Sequence, residues 1–265
     1  TINASTGLLT PGGTVDAGAS PSSVTIDPTG QFAYVVNFGS NDVSAYRITA
    51  STGALTEVGN TEPIQREPTQ REPIAITIEP SGQFAYVANS FDNSVSMYSI
   101  DSSSGALRLL SSISAGITPV SITIDPSGQF AYVANSSIQS NSVSVYSGVS
   151  TGGLVLEDTL LPGVSPEFVS FDPSGQFAYI ANKGSSYLTI YNVNASSGLL
   201  TPLAASPKMI TGNSPTSIAI SKGTRSLSYV PKFAYVPNHL AHNVSAYNIN
   251  ADTGALTAVN TVGLG

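Results

Sequence analysis

The sequence predicts an all-β fold, a β-propeller of four-stranded antiparallel blades, and three observations predict it. A Phe-Ala-Tyr-Val or Phe-Ala-Tyr-Ile run recurs at Phe32, Phe84, Phe130, Phe177 and Phe233, with spacings of 52, 46, 47 and 56 residues. That period is close to the length of one propeller blade. Each period holds four short β-rich segments divided by Gly, Pro, Asn, Asp and Ser, and none carries a 3.6-residue apolar rhythm.

The first segment of each unit (Val24–Ile26, Ala75–Ile78, Val120–Ile124, Phe168–Phe171, Ser217–Ile220) is short and apolar, as an inner strand should be. It runs into an Asp-Pro-Ser-Gly turn, Asp27-Pro28-Thr29-Gly30 in the first unit. There Asp accepts backbone N–H groups, Pro presets φ and Gly takes the positive φ that closes the hairpin. The spacing lacks the alternating oxygen ligands of a calcium loop, so the turn reads as structural.

The second segment is apolar on both faces, the pattern of a strand covered on both sides. Its Phe and Tyr share one face and its Ala and Val the other, so a bulky face meets a small one between blades. Tyr34, Tyr86, Tyr132, Tyr179 and Tyr235 are read as core. Asn37, Asn89, Asn135, Asn182 and Asn238 end the strand, where Asn takes the left-handed conformation or caps the next turn. The third segment alternates, as in Val143-Ser144-Val145-Tyr146, and the fourth, Gly-Ala-Leu-Thr, suits an exposed outer edge.

Five units contain the first three segments, and an extra fourth segment stands at Gly7–Val15. Residues 1–265 are thus read as a single propeller domain, five-bladed or part of a seven-bladed ring, in which strand 7–15 completes or closes a blade.

Composition sets further bounds. Sixteen acidic against nine basic residues leave a net charge of −7, which argues against a nucleic-acid partner. No apolar run reaches the roughly 18 residues of a membrane span. The absence of Cys excludes thiol chemistry and Cys-ligated zinc. Only 9% of residues are charged, and the Ser/Thr/Asn-rich surface fits an extracellular or cell-surface protein. Asn-x-Ser sequons stand at Asn3, Asn135, Asn194 and Asn243.

The unit Ile-Asp-Pro-Ser-Gly-Gln-Phe-Ala-Tyr-Val-Ala-Asn at 124–135, followed by Asn-Ser-Val-Ser-Val-Tyr at 141–146 and by Thr-Gly-Ala-Leu turns, resembles the blade repeat of lactonase-type β-propellers. It is also similar to the Tyr-Val-Thr-Asn repeat of extracellular and surface-layer propellers. The resemblance spans almost the whole chain. It implies seven blades and, among characterised activities, 6-phosphogluconolactonase and a muconate-lactonising enzyme. Those enzymes use His, Glu and Arg in a charged central site. No local motif here matches that site, and no residue is carried over.

Chemistry-bearing residues gather in loops at one end of the ring. The insertion Thr61–Pro73 contains a doubled Gln-Arg-Glu-Pro, and Asn238–Asn243 holds both histidines. Together they bring Glu62, Arg66, Glu67, Arg71, Glu72, His239 and His242 to one candidate ligand-binding face. The i,i+3 histidines lack a third ligand, so neither a metal nor another cofactor is expected. The axial opening is read as lined by Val24, Ile26, Ile122 and Ile124, too uncharged for a phosphorylated substrate.

Three functions follow. The first is a non-catalytic binding or structural module for a small molecule, glycan or protein. The second is a lactone hydrolase with His239 or His242 as general base and Arg66 or Arg71 stabilising the oxyanion. The third is self-assembly through edge strands, Gly7–Val15 pairing onto a neighbouring copy.

Overall fold

In the computed structural model, which describes residues 5–8, 13–58, 72–204, 208–222 and 231–263, each repeat unit becomes one antiparallel sheet. Blade I comprises Pro21–Ile26, Phe32–Asn37, Asp42–Ile48 and Leu55–Glu57. Blade II comprises Pro73–Ile78, Phe84–Asn89, Ser94–Ile100 and Leu107–Ser114. Pro119–Ile124, Ala131–Asn135, Ser142–Ser147 and Val155–Leu160 make blade III. In blade IV (Pro166–Phe171, Phe177–Asn182, Tyr187–Val193) two short strands, Leu200–Pro202 and Lys208–Ile210, both pair with the third. Blade V is Ala219–Lys222, Pro231–Asn238, Asn243–Ile249 and Leu256–Gly263. Two three-residue 3-10 turns, Val149–Thr151 and His239–Ala241, are the only helical segments among the described residues.

The turn between first and second strands is held as its residues predict. Asp27 accepts the N–H of Thr29 at 3.0 Å and of Phe32 at 2.6 Å, and the Thr29 hydroxyl also donates to it. Burial acts to raise the Asp27 pKa, but these donors outweigh it and hold the carboxyl below its ordinary value. Asp125 and Asp172 repeat the arrangement, and in blade II Glu79 reaches the same donors.

Blades stack bulky face on small face. Phe32, Tyr34 and Val36 of blade I pack on Ala85, Val87 and Tyr98 of blade II, and three similar clusters join II to III, III to IV and IV to V. The Tyr of each of blades I to IV also donates its hydroxyl to a carbonyl in the last hairpin of the next blade. Tyr34 reaches Gly105 at 2.9 Å, Tyr86 reaches Val149 at 2.5 Å, Tyr132 reaches Gly198 at 2.6 Å and Tyr179 reaches Gly254 at 3.0 Å. The Phe two residues earlier packs against a glycine of that hairpin. A Cβ on Gly105 would enter the Phe32 ring, and Gly105 also needs its φ of 81°.

Two faces lack these partners. Val24 of blade I is 66% exposed, whereas its counterparts Ile76, Ile122 and Val169 are 6%, 5% and 0% exposed against the preceding blade. Tyr235 of blade V is 42% exposed, against 0% for Tyr34, Tyr86, Tyr132 and Tyr179. Among the described residues no inter-strand packing like that linking consecutive blades returns from blade V to blade I. The architecture is therefore an arc of five blades. The outermost place in blade V is filled by Leu256–Gly263, and residues 9–12 of the strand expected at 7–15 lie outside the described residues. Just before it, Ser5–Thr6 form a turn, and Gly7 has a φ of 69°.

The strand-ending asparagines correct a sequence expectation. They stay in the strand, fully or almost fully buried, and donate to hydroxyls of the third strand, as Asn135 does to Ser142 at 3.1 Å and Ser144 at 3.0 Å. The left-handed residues come next: Asn41, Asn93, Asn141, Ser186 and His242, one per blade. Burial also keeps the Asn135 sequon from solvent, while Asn194 is exposed in a hairpin.

Candidate active site

Loops joining second to third strand, and fourth to the next first strand, share one end of the arc. There the residue after each buried Asn donates its N–H to the carbonyl of a positive-φ residue just before the inner strand. The pairs are Phe38 with Ser20, Ser90 with Glu72, Ser136 with Thr118, Lys183 with Ser165 and His239 with Ser214, all between 2.8 and 3.0 Å. These bonds set five side chains at one register, and only Lys183 and His239 among them carry titratable groups.

Lys183 stands beside Glu167, which occupies a bulge at the start of its blade's inner strand. The ammonium donates to Glu167 Oε1 at 3.0 Å, and Ser136 of the neighbouring blade donates to Oε2 at 3.2 Å. Glu167 thus straddles the junction of blades III and IV with both oxygens engaged. His239 occupies the Lys183 register one blade further on and is exposed.

His242 has a different setting. It takes the left-handed position (φ 50°) that Asn41, Asn93 and Asn141 take in blades I to III. Those side chains accept the N–H of Glu72, Thr118 and Ser165 on the next blade, at 2.9, 2.7 and 2.8 Å. His242 therefore stands at a blade-linking register, three residues from His239 across a 3-10 turn where sequence suggested an open loop. Glu62, Arg66, Glu67 and Arg71 lie outside the described residues. Glu72 is described, partly buried, and tied to blade I through its N–H. The expected gathering of the Thr61–Pro73 loop with His239 and His242 therefore falls outside the described residues. Sequence reasoning missed Lys183 and Glu167. The signal was there: aligning the five copies on the Asn puts Lys183 opposite Phe38, Ser90, Ser136 and His239.

Along the axis lies an open cavity of about 470 Å³ walled by Val24, Ile76, Ile78, Ile122, Ile124 and Phe168, with hydroxyls from Ser23, Thr77 and Thr123. Its one carboxylate, Asp125, is committed to its turn. A second cleft, at blade I, gathers Asp16, Asp42 and Glu57. Among the described residues no three His, Asp or Glu side chains are grouped to hold a metal ion, and no helix is long and apolar enough to cross a membrane.

Radial four-stranded blades around an axis, with charged loops at one end, define a β-propeller. The chain belongs to the lactonase, seven-bladed β-propeller family, which it matches over residues 1–160, 121–220 and 168–264. It is 39% identical over 87 residues to a 6-phosphogluconolactonase of Formosa agariphila, a match covering 32% of this chain and only 23% of that protein. A Lactobacillus plantarum protein superposes with a TM-score of 0.75 at 21% identity, over 92% of this chain and 71% of that one. The periplasmic gluconolactonase of Pseudomonas aeruginosa does so with a TM-score of 0.73 at 19% identity, over 92% and 70%. At such identities the structural likeness concerns the fold alone. The family match favours the hydrolase over the non-catalytic binding module.

Proposed function

We propose that the protein hydrolyses a lactone at the Glu167–Lys183–His239 end of the arc. The observation that carries this reading is the placement, in a chain so poor in charge, of Lys183, paired with Glu167, and of His239 at the same register one blade further on. In the reaction, His239 takes a proton from water as the water oxygen bonds to the carbonyl carbon. The Lys183 ammonium faces the oxyanion that develops, and Glu167 holds the ammonium in place. The ring C–O bond then breaks, its oxygen receives the proton from His239, and an open-chain hydroxy acid leaves. His242 is left out because its register links blades. The sparse charge of the chain, and the periplasmic location of the Pseudomonas gluconolactonase, support a place outside the cytoplasm.

Proton release from a panel of sugar and aliphatic lactones tests the reading. Turnover by the native protein is expected to fall about 10²-fold or more in His239→Ala, the usual span for a lost general base. His242→Ala keeps it. A native protein inert on the whole panel, or full activity in His239→Ala, defeats the assignment.

A further inference from the structure

The axial cavity has no part in the chemistry just described, yet its wall adjoins it. Phe168, next in the chain to Glu167, lines it together with Ser23, and so do Pro80 and Pro126 of the first turns. Between them the surface is branched aliphatic, broken only by small hydroxyls. About 470 Å³ falls within the range of small-molecule pockets, roughly 300–1,000 Å³. Among the described residues, nothing lining the cavity offers the array of directed donors and acceptors that a polyhydroxylated ring would need to replace its bound water. Thr123 has already donated its hydroxyl to the Val169 carbonyl at 2.9 Å. The Asp125 carboxylate is consumed by Ser127, Gln129 and Phe130. A sugar or a phosphate entering here would lose hydration without recompense, whereas an alkyl chain would gain from leaving water.

Resting on the hydrolase reading, we infer that the substrate is an alkyl-substituted lactone whose chain enters the axial cavity while its ring stays at Glu167, Lys183 and His239. Chain length should then be read as affinity, at roughly fourfold for each methylene buried.

The experiment compares kcat/KM of the native chain for δ-valerolactone, δ-decalactone and glucono-δ-lactone. δ-Decalactone is expected to exceed both others by more than tenfold. Thr77→Phe, which fills the cavity from blade II, should bring the decalactone-to-valerolactone ratio close to one. Ser23→Phe fills the cavity from blade I and serves if the first variant does not fold by circular dichroism. Preference for glucono-δ-lactone, or an unchanged ratio in the filled variants, overturns the inference. If no lactone is hydrolysed, the catalytic assignment fails by itself, and calorimetry with δ-decalactone decides about the cavity. Binding that is lost on filling upholds the apolar site, and absence of binding to the native protein ends it.

Discussion

The four junctions inside the arc and the two faces at its ends are built from the same residues, yet only the junctions are complete. Inside, a Phe ring covers a glycine, a Tyr hydroxyl meets a carbonyl, and an aliphatic residue of the next inner strand is shut from water. At the ends, Tyr235 and Val24 hold the same registers and are open. No atom lies within 4 Å of a Cβ built on Gly53 of blade I, whereas one on Gly254 of blade V runs into Phe177. Identical local sequence thus gives burial or exposure according to whether a neighbouring blade is present. Stability in such an array resides in nearest-neighbour interfaces as much as in the repeat itself.

Paired substitutions sharpen that contrast. The largest difference is expected between Gly254→Ala and Gly53→Ala. Both meet the cost of positive φ, about 1 kcal/mol, but Gly254→Ala also overpacks Phe177 by a further ~1–3 kcal/mol. Denaturant midpoints at unchanged m-value measure the gap, and equal losses would erase the distinction. Next comes Tyr179→Phe, expected to cost about 1–2 kcal/mol because the Gly254 carbonyl loses its donor, against less than ~0.5 kcal/mol for Tyr235→Phe. Asn93→Ala should cost about 1 kcal/mol through the unpaired Thr118 N–H, while His242→Ala, with no such cross-blade bond among the described residues, changes little.

The last expectation concerns pH. Burial first, and then the nearby turn carboxylate, push the phenols of Tyr34, Tyr86, Tyr132 and Tyr179 up from their ordinary value. A raised folded pKa means stability is complete below the unfolded value near pH 10 and drains away as pH climbs toward the folded value. Phenolate absorbance from these four should therefore appear together with loss of the β circular-dichroism signal, not before it. Smooth titration of all phenols in a protein still folded would contradict their burial.

Much of this arrangement was legible in the sequence. Phe32 and Tyr34 announce a bulky face because strand side chains alternate, and Asp27-Pro28-Thr29-Gly30 announces its turn because each residue has a local job. The alternation could not show which faces find a neighbour, since that depends on blades remote in sequence. The asparagines misled for a similar reason. Asn135 looks like a turn residue in isolation, but the hydroxyls of Ser142 and Ser144 across the hairpin hold it in the strand. The Glu167–Lys183 pair escaped notice because its members are 16 residues apart and its third member, Ser136, belongs to another blade. The histidines stood out by rarity alone, which could not separate His239 at the charged register from His242 at the blade-linking one.

The nesting of a ring on a bare hairpin glycine has a consequence for how such chains change over generations. Every junction uses the same matched pair, so any unit fits behind any other. A duplication or excision of one whole unit leaves each surviving boundary correctly mated, whereas a cut within a unit spoils two. Recombination in a gene of this kind is therefore tolerated in steps of one repeat, and the number of blades is the quantity most free to vary.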